Sequence, residues 1–319
     1  MKIVFMGTPE FARATLTHLC DSNHEILAVV TGQEKPVGRN RKLTSTEVCQ
    51  EANCRGFRVL TPQSLKSEEL YKDLEGLAPD LFVVAAFRIL PPRLYNLPRL
   101  GSINIHTSLL PKYRGAAPIH WALINGETET GLTSFFLKET VDTGDIIYQE
   151  KVAITENDTY DTLHARLCKK AGPFLLKTLD LIERGETEVL PQDDNRATRA
   201  PKINAFDALI DFGLPAARVR DFVRGLATKP GAYTYFRGSK IKIHACGPVE
   251  GLSDAAARPG AVLPDKKRLL VQCGDSAVEL LKVVPAGKKE MDGRSFKNGF
   301  RPEPGEVFGE IPRESQEKL

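Results

Sequence analysis

The fold is decided near the start of the chain by the stretch Ile3-Val4-Phe5-Met6-Gly7-Thr8-Pro9-Glu10-Phe11. Its first four residues are apolar, as in a buried strand, and Gly7-Thr8-Pro9 predicts a tight turn. Apolar residues at helical spacing follow through Leu16 and Leu19, and a second apolar run covers residues 26–30. Strand, turn, helix and strand in this order predict a βαβ unit. Because continuous apolar strands are typical of parallel sheets covered on both faces, we expect an α/β fold.

Further apolar segments extend this pattern and predict the domain organisation. Strands are expected at residues 81–85 and 102–106 with helices between them, and a long helix is expected at residues 160–184. Residues 1–189 are therefore predicted to form a doubly wound, Rossmann-like domain, followed by a polar linker at residues 190–205. Residues 206–319 contain one predicted helix and several short strands separated by Gly, Pro and Asp, which indicates a small β-barrel or sandwich.

The composition is typical of a soluble globular protein, and we expect a cytoplasmic one. Hydrophobic residues make up 41% of the chain and charged residues 27%, with a formal net charge of +3 at pH 7. This balance does not indicate a membrane or nucleic-acid binder as a whole, although residues 206–319 hold a small excess of basic side chains. No apolar run has the length of a signal peptide or a membrane span. The six cysteines are scattered without a C-x-x-C pair, so neither a zinc site nor a disulfide framework is expected.

A candidate catalytic pair lies in the strand predicted at residues 102–106. Side chains alternate faces along a strand, so Asn104 and His106 project from one face, while Ile103 and Ile105 project from the other. The pair sits at the carboxyl end of its strand, where open α/β sheets bind ligands. An amide beside an imidazole can stabilise the oxyanion that forms when a nucleophile attacks a carbonyl-like carbon. The alternative is a core histidine that only hydrogen-bonds a neighbouring backbone group.

A second candidate is the segment Val141-Asp142-Thr143-Gly144-Asp145-Ile146, where two carboxylates flank a Thr-Gly turn. If Asp142 lies near His106, its carboxylate favours the protonated imidazole and could relay protons through water. Alternatively, the acids only satisfy the turn, which is the interpretation we adopt for Asp145. The stretch Ser108-Leu109-Leu110-Pro111 could offer backbone amides and apolar side chains to a flat heterocycle, or be a plain loop.

Two turns bear on the choice of ligand. The first βα turn holds the single glycine Gly7 and not a G-x-G-x-x-G motif, so NAD binding is not predicted. Residues 32–43 form a loop rich in Gly, Pro and basic side chains, and this loop is longer than an ordinary βα connection of about 2–6 residues.

These pieces together resemble the folate-dependent formyltransferases over nearly the whole chain, and within that family the branch that acts on methionyl-tRNA. The motifs that carry the resemblance are Phe5-Met6-Gly7-Thr8-Pro9-Glu10-Phe11, Lys35-Pro36-Val37-Gly38-Arg39-Asn40-Arg41-Lys42-Leu43, Asn104-Ile105-His106, Ser108-Leu109-Leu110-Pro111-Lys112-Tyr113-Arg114-Gly115-Ala116-Ala117-Pro118-Ile119, Asp142-Thr143-Gly144-Asp145 and Pro285-Ala286-Gly287-Lys288-Lys289-Glu290-Met291. The sequence departs from the family at Phe87-Arg88, where a Tyr-Gly pair is common, and at Asn40, where glycine is frequent.

The resemblance implies roles for individual residues. It implies that the first domain is the catalytic formyltransferase domain and that the second is an OB-like β-barrel that helps to hold tRNA. The residues it assigns are Asn104, His106 and Asp142 to catalysis, Ser108, Leu109, Leu110, Pro111, Phe87, Ile89 and Leu90 to folate binding, and Arg39, Arg41 and Lys42 to tRNA binding.

By the same resemblance, the expected reaction moves the formyl group of 10-formyltetrahydrofolate to the α-amino group of methionyl-initiator tRNA. The expected protein is a monomer that needs no metal and contacts no membrane. One alternative is a formyltransferase that acts on a small amine, such as an amino sugar or glycinamide ribonucleotide. Two others are a folate-dependent deformylase and a non-catalytic RNA-binding protein with a degenerate α/β domain.

Overall fold

The computed structural model describes residues 1–37, 42–254 and 256–310, and these form two compact units. Unit 1 comprises Met1–Pro118, Glu129–Ala153 and His164–Ala200. Unit 2 comprises Ile119–Thr128, Ile154–Leu163 and the chain from Pro201 onward. Each unit is therefore assembled from separate stretches of the sequence.

Unit 1 is built on a seven-stranded sheet. The strands, in chain order, are β1 (Lys2–Gly7), β2 (Glu25–Val30), the two-stranded hairpin β3 (Lys35–Val37) and β4 (Lys42–Thr44) outside the sheet, then β5 (Val59–Leu60), β6 (Leu81–Ala85), β7 (Ser102–His106), β8 (Glu129–Phe136) and β9 (Ile146–Ala153). The order across the sheet is β5-β2-β1-β6-β7-β8-β9. The strand order reverses beside β1, because the chain runs outward through β2 and β5 and then returns to β6 on the other side. That reversal is the feature of a doubly wound fold, and it marks the edge where such sheets bind ligands.

The helices follow the strands in alternation. They are α1 (Glu10–Cys20), α2 (Glu47–Cys54), α3 (Glu68–Gly76), α4 (Pro92–Tyr95), α5 (Pro118–Ile124) and α6 (Tyr160–Arg184). The bounds predicted from sequence for β6, β7 and α6 are confirmed. Helices α2 and α3 are preceded by the capping residues Thr46 and Ser67, whose hydroxyls accept hydrogen bonds from the backbone N–H of Cys49 and Leu70.

Strands β1 and β6 are buried along almost their whole length. Val4 and Met6 pack on one face with Phe82 and Val84, and Ile3 and Phe5 on the other face are fully buried as well. Each such side chain contributes about 1.5–3 kcal/mol when it leaves water. The continuous apolar pattern of these strands is thus explained by a sheet that is covered on both faces.

The sheet of unit 1 is not entirely parallel. Strands β5, β2, β1, β6 and β7 are parallel to one another, but β8 pairs antiparallel with β7, and β9 pairs antiparallel with β8. The parallel arrangement expected from the βαβ unit is confirmed, and β8 and β9, for which the sequence predicted no direction, add two antiparallel strands at one edge. Only the short turn around Asp142 separates β8 from β9, and such a connection can join antiparallel neighbours only.

Part of the long basic loop is regular structure. Strands β3 and β4 pair antiparallel, with Pro36 opposite Leu43. Leu43 is 63% exposed, so the hairpin presents an apolar side chain to solvent.

Unit 2 contains a curled antiparallel sheet and the helices α7 (Ala216–Leu226) and α8 (Gly293–Phe300). Its strands are β10 (Tyr233–Phe236), β11 (Ser239–Val249), β12 (Val262–Leu263), β13 (Leu270–Gln272), β14 (Ala277–Pro285) and β15 (Met291–Asp292). The order is β10-β11-β14-β13-β12, with β15 on β14. The segment 305–309 joins the two edges, because Phe308 pairs with Phe236 and Val307 pairs with Ala261. The OB-like barrel expected from the family resemblance is confirmed.

No helix in the described part of the chain is long and apolar enough to cross a bilayer. Within the same residues, no three His, Cys, Asp or Glu side chains are grouped so as to hold a metal ion.

Candidate active site

The predicted catalytic pair lies at the carboxyl end of β7, next to the end of β6. Ile103 and Ile105 are buried in the core, as the alternation of strand side chains requires. His106, which ends the strand, is 6% exposed, and Asn104 is half-buried. The Asn104 side chain makes no hydrogen bond to any other described residue, so its amide is available to a ligand.

The ring of His106 is held at one nitrogen and open at the other. Its Nε2 lies 2.8 Å from the backbone carbonyl oxygen of Tyr113. A carbonyl can only accept a hydrogen bond, so Nε2 carries a proton. Nδ1 lies 3.8 Å from Oδ2 of Asp142, which is too far for a hydrogen bond but close enough for electrostatic attraction to an imidazolium. The ring is thus fixed in orientation while Nδ1 can exchange a proton.

Asp142 occupies the turn between β8 and β9 in an uncommon backbone conformation. Its φ is +56°, in the left-handed region that Asp enters more easily than most residues. Its Oδ2 accepts a 2.8 Å hydrogen bond from the backbone N–H of Gly115. Gly115 itself has φ +127°, and a Cβ there would lie 2.5 Å from the carbonyl oxygen of Ala200. Only glycine fits this approach, so the Arg-Gly-Ala-Ala motif supplies the N–H that holds the carboxylate.

Strained conformations collect around this site. Ala86, directly after β6, has φ +45°, and Tyr113, whose carbonyl binds His106, has φ +63°. Together with Asp142, they are non-glycine residues held in a sparsely populated region, which costs about 1–3 kcal/mol each and is common at functional sites.

The second carboxylate of the turn has a different environment. Asp145 Oδ1 lies 2.8 Å from Nζ of the half-exposed Lys138, and its backbone carbonyl accepts a hydrogen bond from Phe136. The prediction that Asp145 has a structural role in the turn agrees with these contacts.

The stretch Ser108-Leu109-Leu110-Pro111 is held rigidly. The backbone carbonyls of all four residues accept internal hydrogen bonds, whose donors are, in order, Thr133 Oγ1, the backbone N–H of Lys112, Gln149 Nε2 and the backbone N–H of Thr198. Ser108 and Leu110 are buried, and Leu109 packs against Gly131 of β8. The stretch is therefore a preformed wall rather than a mobile loop.

The segment after β6 divides its side chains between the core and solvent. Leu90 is buried, and Phe87 packs against the same core, whereas Ile89 is 73% exposed. The guanidinium of Arg88 donates to the carbonyl oxygens of Pro62 and Gln63. Arg88 thus connects the segment after β6 to the backbone of residues 62–63.

Of the three residues predicted to bind tRNA, only the backbone of Lys42 lies among the described residues. Arg39 and Arg41 lie outside the described residues. The backbone of Lys42 is in β4, and its side chain is not described.

One residue of this site was missed by the sequence analysis. Gln192 lies in the segment predicted to be a linker, yet its amide binds the turn of Asp142 through the carbonyl oxygens of Asp142 and Gly144, at 2.9 and 2.8 Å. A single Gln in a polar segment carries no periodicity or motif, so no local signal marks it.

Comparison with known proteins agrees with this architecture. The family model described as formyl transferase matches residues 1–179, and the model of the formyl transferase C-terminal domain matches residues 202–301. The methionyl-tRNA formyltransferase of Caldanaerobacter subterraneus subsp. tengcongensis is 41% identical over 310 residues, which cover 97% of this chain and 100% of that protein. The methionyl-tRNA formyltransferase of Chlorobium limicola is 43% identical over 307 residues, which cover 94% and 96%.

A solved structure shares the fold at lower sequence similarity. It is the N-formyltransferase from Helicobacter canadensis in complex with folinic acid and dTDP-3-aminofucose, with a TM-score of 0.66, 18% identity and coverage of 88% of this chain and 98% of that chain. From the two family models and the similarity over nearly the full length of its relatives, the chain belongs to the formyl transferase family, among the methionyl-tRNA formyltransferases.

Proposed function

We propose that this protein transfers the formyl group of 10-formyltetrahydrofolate to the α-amino group of methionyl-initiator tRNA. The observation that carries the proposal is the arrangement at the end of β7. There, a histidine with one fixed and one open ring nitrogen lies 3.8 Å from a carboxylate and on the same strand face as an uncommitted amide. The names of the relatives that match nearly the whole chain support the choice of substrate.

The roles of the three residues follow from their chemistry. Folate supplies the formyl group. The amide of Asn104 and the protonated imidazole of His106 stabilise the negative charge that develops on the formyl oxygen. Asp142 favours the imidazolium and accepts, directly or through water, the proton that the attacking amine loses. This proton then returns to the leaving nitrogen, so the enzyme is left unchanged.

The residues present fit a folate at this edge of the sheet. The loops after β6 and β7 leave adjacent parallel strands, so they flank the same space. One loop exposes the apolar side chain of Ile89, and the other is the rigid stretch Ser108–Pro111. A flat ring between them would contact Ile89 and the chain around Phe87 and Leu90, while the Asn104 amide faces the reacting group. The similarity of the fold to that of the Helicobacter canadensis N-formyltransferase, solved with folinic acid, supports a folate site at this position.

The substrate tRNA requires further contacts, which we assign to two parts of the chain. Arg39, Arg41 and Lys42 at the β3–β4 hairpin would pair with phosphates of the acceptor stem, and the barrel would hold the tRNA elsewhere. We propose residues 1–189 as the catalytic domain, 190–205 as the linker and 206–319 as the tRNA-binding domain, in a protein that acts as a monomer in the cytoplasm.

The test is a formylation assay with purified protein. Methionyl-initiator tRNA and 10-formyltetrahydrofolate should give formylmethionyl-tRNA, whereas an elongator methionyl-tRNA and a small amino sugar should react far more slowly. Asn104→Ala and His106→Ala should each lower kcat by about 10²–10³-fold, because each removes a donor to the developing charge. Asp145→Asn, which changes a neighbouring carboxylate, should stay near wild type. Near wild-type rates for the first two variants would overturn the assignment, and preference for the amino sugar would overturn the substrate.

A further inference from the structure

The side chain of Gln192 makes four hydrogen bonds at the back of the active-site turn. Its Nε2 donates to the carbonyl oxygens of Asp142 and Gly144, and its Oε1 accepts from Nε and Nη2 of Arg114 at 3.0 and 2.8 Å. A side-chain amide has two N–H donors and two acceptor lone pairs. All of its hydrogen-bonding capacity is thus committed to this one place.

These contacts form a closed hydrogen-bond network around Asp142. Gln192 holds the backbone of Asp142, and Arg114 holds Gln192. Gly115, the next residue after Arg114, holds the Asp142 carboxylate through its N–H. Asp142 is therefore fixed at both its main chain and its side chain, by groups that are themselves fixed to one another.

This network is needed to hold the turn because the backbone of Asp142 has a strained conformation. A residue with φ +56° returns to a more common conformation unless its surroundings prevent it. Without Gln192, the carbonyl oxygens of Asp142 and Gly144 would accept hydrogen bonds from water instead. The backbone dihedral angles of the turn could then change. The carboxylate would then lose its place 3.8 Å from Nδ1 of His106.

We propose that Gln192 is a positioning residue, which acts through Asp142 to hold the carboxylate in register with His106. The proposal rests on the proposed function of this site, since it assumes that Asp142 serves formyl transfer. It assigns a role in the reaction to a residue of the segment that the sequence suggested was only a connection between domains.

Two substitutions of Gln192 distinguish the hydrogen bonds that its N–H groups donate from those that its oxygen accepts. Gln192→Ala removes all four hydrogen bonds. Gln192→Glu keeps the shape and the acceptor for Arg114, but it turns a negative oxygen toward two carbonyl oxygens. Both variants should lower kcat by roughly 10–100-fold, as expected for a displacement of about 1 Å, while the KM values for tRNA and for folate change less than about threefold. Wild-type kcat for Gln192→Glu would show that only the contact with Arg114 matters and would overturn the proposal.

The matched control is Asn195→Ala, which removes a similar amide from an exposed position three residues further along the chain. Its side chain has no hydrogen bond to another residue of the described ranges, so kcat should be unchanged. A loss in this variant equal to that in Gln192→Ala would mean that any change in the segment disturbs the enzyme.

A double variant distinguishes positioning from general support of the fold. If Gln192 acts through Asp142, then Asp142→Ala and the Asp142→Ala/Gln192→Ala pair should have the same kcat within about twofold. A further tenfold loss in the double variant would overturn the proposal.

Calorimetric titration with 5-formyltetrahydrofolate should give similar affinities for wild type and Gln192→Ala, which confirms that the variant is folded. Should Asp142→Ala itself keep full activity, the role of Asp142 and with it the role proposed for Gln192 would be overturned, whereas a wild-type protein that does not formylate methionyl-initiator tRNA would overturn the proposed function.

Discussion

At the scale of single residues, the turn that carries Asp142 depends on a glycine. A Cβ at Gly144 would lie 1.5 Å from the backbone carbonyl oxygen of Phe136, at the end of β8. Phe136 is also held against the turn, because its N–H donates a hydrogen bond to the carbonyl oxygen of Asp145. The glycine of the Thr-Gly pair is therefore explained by the close packing of the turn on β8. The same packing fixes the position of the Asp142 carboxylate.

We expect Gly144→Ala to lower both activity and stability. The added methyl group must push the turn away from β8, which should cost about 1–3 kcal/mol in the free energy of unfolding. The same shift should lower kcat by at least about tenfold, because it moves Asp142 relative to His106. Urea unfolding and the formylation assay measure the two effects.

Gly76→Ala is the matched control for this substitution. Gly76 ends α3, and a Cβ there meets no atom within 4 Å. Alanine should leave kcat unchanged and raise the stability by up to about 1 kcal/mol, because it favours the helix. A Gly144→Ala enzyme as active as Gly76→Ala would show that the turn does not position Asp142.

At the scale of elements, no described residue of the hairpin of β3 and β4 belongs to the candidate active site. The hairpin stands outside the seven-stranded sheet, and it carries exposed Leu43 beside Lys42. An element with few buried contacts and several basic residues is suited to a partner that is large and negatively charged. This supports its assignment to tRNA in the proposed function.

Neutralising the hairpin should weaken tRNA use without changing the chemistry. In a variant with Arg39, Arg41 and Lys42 replaced by Gln, we expect the KM for tRNA to rise roughly tenfold, while kcat stays near wild type. The slope of log(kcat/KM) against log salt should flatten by about 0.9 for each phosphate contact that is lost.

The control is Lys72→Gln, at an exposed position of α3. Its salt dependence should match that of the wild type. If the triple variant has the same KM and the same salt dependence as Lys72→Gln, the hairpin takes no part in binding tRNA.

At the scale of the whole molecule, each unit has its own core, and buried thiols lie in both. Burial raises the pKa of Cys168 in unit 1 to about 11 and that of Cys273 in unit 2 to about 12. In the unfolded chain these thiols ionise near their ordinary value of about 8.5. Above this value, the folded state binds more protons than the unfolded state, so stability must fall as the pH rises.

Near neutral pH these thiols should cause no change of the free energy of unfolding with pH, and from about pH 9 upward they should make it decline. Each buried thiol should contribute a loss of about 1 kcal/mol per pH unit until its folded pKa is passed. Cys273→Ala should show a shallower decline than wild type, although the cavity lowers its stability at pH 7. Cys54→Ser, at an exposed position, should follow the wild-type slope. Urea unfolding between pH 7 and pH 10.5 checks this, and equal slopes in all three proteins would contradict it.

Local patterns in the sequence determined the elements and the candidate chemistry. The apolar runs predicted β1, β2, β6 and β7, and the alternation of side chains placed Asn104 and His106 on one face of β7, because a strand's period of two depends only on its own residues. The motifs also indicated the family, and the comparisons confirmed it. No local pattern predicted the direction of β8 and β9, because the direction of a strand depends on which strands it joins.

The tertiary structure alone decided how the site is assembled. The tautomer of His106 is set by Tyr113, and the position of Asp142 is set by Gly115 and Gln192. None of these contacts follows from spacing along the chain, since each joins residues brought together by the packing of separate segments. Units made of discontinuous stretches likewise follow from packing, because a core gathers apolar side chains wherever in the chain they occur. The sequence alone therefore determined which groups are candidates for the chemistry, and only the fold decided which of them meet.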